Sequence, residues 1–135
     1  MRLAEMESRT VFFGGKDRPV LDLADSWAGH VLRFIREGSS TDVEACWGAH
    51  DYVPALIIRD ALQRGLPDPT SPPAFIDITD QMFRSFTQPD EHADLRLVDH
   101  DHPHDEWWCR RIPKAGPIAA ELQQLYQRPH ARRGR

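Results

Sequence analysis

Between Pro19 and Gly38 the apolar residues Val20, Leu23, Ala24, Trp27, Val31, Phe34 and Ile35 recur at intervals of three and four. That spacing puts them on one stripe of a helix of about five turns. A helix of this kind must bury its stripe, so the remaining chain has to supply a second layer to receive it. Pro19 suits the first helical turn, where a missing N–H is no loss, and Gly38 is expected to cap the carboxyl end with a positive φ.

The rest of the chain is punctuated by glycine and proline. Residues 10–13, Thr-Val-Phe-Phe, read as a short strand that leaves through Gly14-Gly15. Thr41 followed by Glu44 matches a capping box and starts a second helix near Asp42. Pro54 is expected to break that helix around 51–53, with a further helix over 54–64 packing Leu56, Ile58, Ala61 and Leu62 up to Gly65 and Pro67. Pro67, Pro69, Pro72 and Pro73 make 67–73 a stiff connector. Residues 74–86 fit either strand alternation or helical spacing. The longer window favours a helix carrying Phe75, Ile78, Met82, Phe83 and Phe86 on one face.

Residues 95–98 and 107–112 then read as two strands of a hairpin across a polar, proline-containing turn. A last helix over 117–127 aligns Ile118, Leu122, Leu125 and Tyr126, and 130–135 form a basic tail that frays. With 135 residues, 40 % of them apolar, there is material for one core. The expected architecture is a single α+β domain over 1–129, helix-rich, with a small antiparallel sheet that includes the hairpin of the carboxyl-terminal half.

No apolar run approaches the ~18 residues that cross a bilayer. Glu5 and Glu7 argue against an export signal, and two widely separated cysteines, Cys46 and Cys109, suit reduced thiols, so the expected location is the cytoplasm. The formal charge of −4 is unevenly spread: residues 1–109 hold 10 basic against 20 acidic side chains, and 110–135 hold 7 against 1. The stretch 42–109 alone has 4 against 14. A nucleic-acid backbone would be repelled by most of such a surface and attracted only at the carboxyl end.

Chemistry concentrates in Asp99-His100-Asp101-His102-Pro103-His104-Asp105-Glu106. Alternate residues of an extended segment share a side, so His100 and His102, with His104 and Glu106 nearby, present ligands suited to zinc or another divalent cation. The same imidazoles, set among carboxylates, also suit a pH-sensitive contact. Cys46 and His50 lie four apart on one helix face with Asp51 following, a thiol and imidazole grouping that a buried structural cysteine explains better. Trp107 and Trp108, adjacent on a strand, would face opposite sides, one into the core and one exposed or covered by a partner. Arg110 and Arg111 flank them, and aromatic plus arginine surface is what interface anchors are made of.

The reading that gathers most of these features is a small cytoplasmic accessory, inhibitor or immunity-like protein that shows an acidic surface to a basic protein partner. Trp107, Trp108, Arg110, Asp99, Asp101 and Glu106 are its candidate contacts. The first alternative is a metal-dependent, hydrolase-like enzyme with His100, His102 and His104 as ligands. The second is nucleic-acid binding through the tail arginines Arg132, Arg133 and Arg135.

Overall fold

The computed structural model describes residues 6–38, 49–89, 106–116 and 118–120, the side chains of Ala49 and His50 excepted. Its strands β1 (Thr10–Phe13) and β2 (Lys16–Pro19) pair antiparallel, with Phe13 opposite Lys16. Gly14 and Gly15 form the two-residue turn at φ of 64° and 87°. Two successive left-handed residues match the twist of the flanking strands, and glycine enters that region without a Cβ penalty. The turn was legible in the sequence. Its second strand, Lys-Asp-Arg-Pro, has no apolar alternation to announce it.

Helix α1 (Val20–Glu37) follows at once and buries Val20, Leu23, Ala24, Trp27, Val31 and Phe34, while Ile35 at the stripe's edge is exposed. Pro19 is the last residue of β2 and caps the helix instead of entering its first turn. Gly38 departs from expectation: its φ is −62°, in the right-handed region. A glycine is needed there for room. A Cβ at Gly38 would stand 2.8 Å from the Phe86 ring, and one at Gly116 would stand 2.8 Å from the Gly38 Cα. Two backbones approach closely at this end of α1.

Helix α2 (Ala49–Gly65) runs unbroken through Pro54, so the expected break at 51–53 is absent. Pro54 is exposed and costs the helix one N–H, while Tyr52, Ala55 and Leu56 on either side of it are buried in the same core. Tertiary packing outweighs one lost hydrogen bond. The connector 67–73 is largely exposed, and Asp68 Oδ1 accepts from the Thr70 backbone N–H and hydroxyl. Those two bonds hold the exposed Asp68 carboxyl below its ordinary value.

Helix α3 (Ala74–Phe86) confirms the helical reading of this window but not its face. Ile76, Thr79, Asp80 and Phe83 are buried, and Phe75 and Ile78 point outward. Strand β3 (Thr87–Pro89) continues from it and pairs antiparallel with β4 (Arg111–Pro113), Gln88 opposite Ile112. An antiparallel pair does occur in the carboxyl-terminal half, yet Arg111–Pro113 pairs with 87–89; residues 95–98 lie outside the described residues. Nor are 107–110 extended. Trp107–Arg110 form a 3₁₀ turn with Trp108 and Cys109 both buried, which a strand, sending neighbours to opposite faces, does not allow. Among the described residues the fold is thus α+β, built on three helices of 13 to 18 residues with two small antiparallel sheets, and no helix is long and apolar enough to cross a membrane.

α1 packs against both α2 and α3, and at the centre of this layer lies a polar network. Asp80 of α3 takes the Arg59 guanidinium of α2 side-on, Nε to Oδ1 at 2.9 Å and Nη2 to Oδ2 at 2.8 Å. Oδ1 also accepts from Trp27 Nε1 of α1 at 2.9 Å. Arg59 Nη1 donates to Gln63 Oε1, and the guanidinium lies 4.2 Å from the centroid of Trp108. Trp108 Nε1 in turn donates to Asp60 Oδ1 at 3.1 Å. Arg59 is 1 % exposed and Asp80 3 %. A buried charge is tolerated only when paired and hydrogen-bonded, and this pair is both.

At the far end of α3, Arg111 donates through Nε to Thr87 Oγ1 and through Nη2 to the carbonyls of Thr87 and Arg84. A cation on the last carbonyls of a helix complements its dipole. Tyr52 of α2 donates to the Arg111 carbonyl at 2.6 Å, so β4 is tied to α2 and α3 together.

Arg59→Met leaves the Asp80 carboxylate buried without its cation and is expected to cost about 3–5 kcal/mol, read from urea denaturation. Combining it with Asp80→Leu should recover more than half of that loss, since no charge then remains buried. Gly65→Ala should cost about 1–3 kcal/mol by the same measurement, because a Cβ there meets Val11 Cγ2 and Val20 Cγ2, each at 2.5 Å.

Candidate partner-binding surface

The residues singled out in the sequence fall into two groups. Asp99, Asp101, His100, His102 and His104 lie outside the described residues, as does Cys46. Among the described residues no three His, Cys, Asp or Glu side chains are grouped as a metal site requires. Glu106, Trp107, Trp108 and Arg110 are described, and the 3₁₀ turn treats them differently. Trp108 is 1 % exposed and belongs to the core, its ring against Arg59 and its N–H on Asp60, so it offers no surface to a partner. Trp107 is half-buried, 6.0 Å from Phe83 and 5.5 Å from Trp108 between ring centroids, and Arg84 of α3 lies over its ring at 3.9 Å. The second tryptophan ring is covered from within the chain, by α3. Arg110 is exposed and Glu106 half-buried.

Cys109 is buried beside them. Desolvation, with the nearby Asp60 and Glu106 charges adding to it, pushes its thiol up to about 12. A thiol so disposed is inert, because the thiolate is the nucleophile.

The acidic excess of 42–109 is only partly outward. Asp60 and Asp80 turn into the core network, whereas Asp51, Asp68, Asp77 and Glu106 are exposed or half-buried. Among the described residues, α3 carries an outward carboxylate, Asp77, beside exposed apolar side chains. Its outer face, opposite Asp80, carries Ala74, Ile78, Gln81 and Ser85, all exposed, with Ile78 58 % and Phe75 39 % open to solvent. At 100° per residue Asp77 and Arg84 lie along one flank of this stripe, and Phe75, Met82 and Phe86 along the other. Gln81 Nε2 donates to Asp77 Oδ2 at 2.7 Å, holding that carboxylate over the stripe.

The apolar spacing groups Phe75 and Ile78 with Phe83 on one face of the helix, so the pattern alone does not reveal this outer surface. The available signal was Asp80: Ile76, Thr79, Asp80, Phe83 and Thr87 share helical spacing, and Arg59 sits among Leu56, Ile58 and Leu62 in α2. Two opposite charges, each set in apolar surroundings on its own helix, announce a buried pair that turns the helix about its axis. No protein-family model, curated protein or solved structure matches the chain.

Cys109 is expected to escape thiol-specific alkylation at pH 8 in the native protein and to react once urea unfolds it, as peptide mass mapping would show. Because folding keeps this thiol protonated, the unfolded chain releases the proton first. Native stability should therefore fall as pH rises above the ordinary thiol range towards about 12, read as a lower urea midpoint.

Proposed function

We propose that the chain is a small cytoplasmic binding protein, of the accessory, inhibitor or immunity kind, that engages a protein partner through the outer face of α3. The observation that carries this reading is the exposure of Phe75 and Ile78 on an ordered helix whose opposite face is anchored by the Arg59–Asp80 pair. Large apolar side chains held open on a rigid element are what a partner buries, and the surrounding polar groups set orientation. Asp77 on the stripe's flank, and Asp68 exposed on the connector before it, call for a basic side chain on the part of the partner that faces them. That attraction weakens as salt rises.

The reading is tested by placing a photo-crosslinking amino acid at position 78, on α3, and at position 25, on the outer side of α1, in cells. A protein adduct from position 78 that position 25 does not give, weakened by salt and lost on Phe75→Asp, is the expected result. Loss of binding should come with at most a small fall in the thermal midpoint, since Phe75 is 39 % exposed. Equal yields from both positions, or adducts indifferent to Phe75→Asp, overturn it.

A further inference from the structure

We propose that the partner for the outer face of α3 is a second copy of the same chain, packed antiparallel across a two-fold axis. The inference rests on the reading of this face as a protein-binding surface and names its occupant. The argument is charge complementarity along one helix. α3 begins with an acidic residue in its first turn, Asp77, and ends with a basic one in its last, Arg84. Seven residues separate them, almost two full turns, so both lie on the same flank of the exposed stripe.

A two-fold axis perpendicular to two antiparallel helices brings each flank against its own counterpart with the direction reversed. The Asp77–Arg84 flank of one copy therefore meets the Arg84–Asp77 flank of the other, and two opposite-charge pairs form at once. The stripe has its midpoint between Ile78 and Gln81, so Ile78 packs on Gln81 of the second copy, and Ala74 on Ser85. With that midpoint Asp77 and Arg84 of the two copies are offset by about 3 Å along the axis, within the reach of an arginine side chain. On the opposite flank Phe75 and Met82, also seven apart, meet each other reciprocally. A parallel two-fold pairing instead sets the charged flank of each copy against the Phe75–Met82 flank of the other, and no charge pair forms.

Both ends are prepared for this contact. Arg84 is exposed, and its guanidinium lies over the Trp107 ring at 3.9 Å, a contact that steadies the charge and leaves its N–H groups as donors for a carboxylate. Asp77 is steadied by Gln81. Antiparallel helix dipoles add to the match. A seam of one 13-residue helix is about 20 Å long, which belongs to the small, weak class of interfaces.

Sedimentation velocity of the purified full chain tests the proposal across about 1 to 500 μM, where interfaces of this class exchange. The expected result is a reversible monomer–dimer equilibrium that shifts towards monomer as salt is raised. Ile78→Asp should raise the dimer Kd at least about tenfold, and Asp77→Arg or Arg84→Asp alone should do so comparably, since each sets like charges together twice per dimer. The double reversal, Asp77→Arg with Arg84→Asp, should return the Kd towards the wild-type value, because the pairs re-form with their signs exchanged.

Thermal midpoints read alongside guard against a folding defect, and Ile78→Ser serves as a second variant at the apolar centre. A monomer at every concentration overturns the proposal, as does a dimer indifferent to position 78 or one that the double reversal fails to recover. A monomer whose position-78 crosslinker still captures a different protein in cells overturns the second copy alone and leaves the binding face standing. A monomer that captures nothing there overturns both.

Discussion

The buried pair of Arg59 and Asp80 governs the arrangement of this small domain. It joins α2 to α3 directly, reaches α1 through the Trp27 indole, and reaches the 3₁₀ turn through the Trp108 ring. Four separate segments thus answer to one guanidinium and one carboxylate. The attraction of such a pair is largely offset by the cost of taking both ions out of water, so its net contribution to stability is small. What it supplies is rotational choice. The large apolar side chains of α3 extend beyond its buried face to Phe75 and Ile78, and only the rotation that brings Asp80 inward satisfies Arg59.

That choice has a visible cost on the outside of the molecule. With Asp80 and Thr79 inside, Phe75 and Ile78 are left in solvent, although hydrophobic burial alone would have taken them in. Each buried polar side chain displaces an apolar one from the same helix face. The exposed stripe and the interior network are therefore two sides of one event.

Much of the fold was legible in the sequence where local chemistry decides: the stripe of α1, the Gly14-Gly15 turn, the proline connector, and α3 as a helix. Reading failed where distant residues decide. Pro54 looked like a break because its cost is local, and the burial of Tyr52, Ala55 and Leu56 that outweighs it is tertiary. Gly38 looked like a left-handed cap, although what crowds a side chain there is the Phe86 ring, far along the chain. Trp107 and Trp108 looked like strand neighbours because nothing beside them names Asp60 and Arg84 as partners. The candidate surface was the least legible of all, since it is defined by a pairing between residues twenty-one apart on two helices.

Trp107 and Trp108 stand nearly perpendicular, with 83° between their rings and 5.5 Å between centroids, and each has an arginine over its face. Two indoles so close and so oriented share their electronic excitation, and the handedness of the pair imprints itself on the near-ultraviolet circular dichroism of the protein. Trp27, hydrogen-bonded to the same carboxylate that holds Arg59, lies 5.0 Å from Phe83, the ring that also meets Trp107. The molecule therefore carries an intrinsic optical gauge of its own interior, one that fades when side-chain packing loosens even while the helices persist.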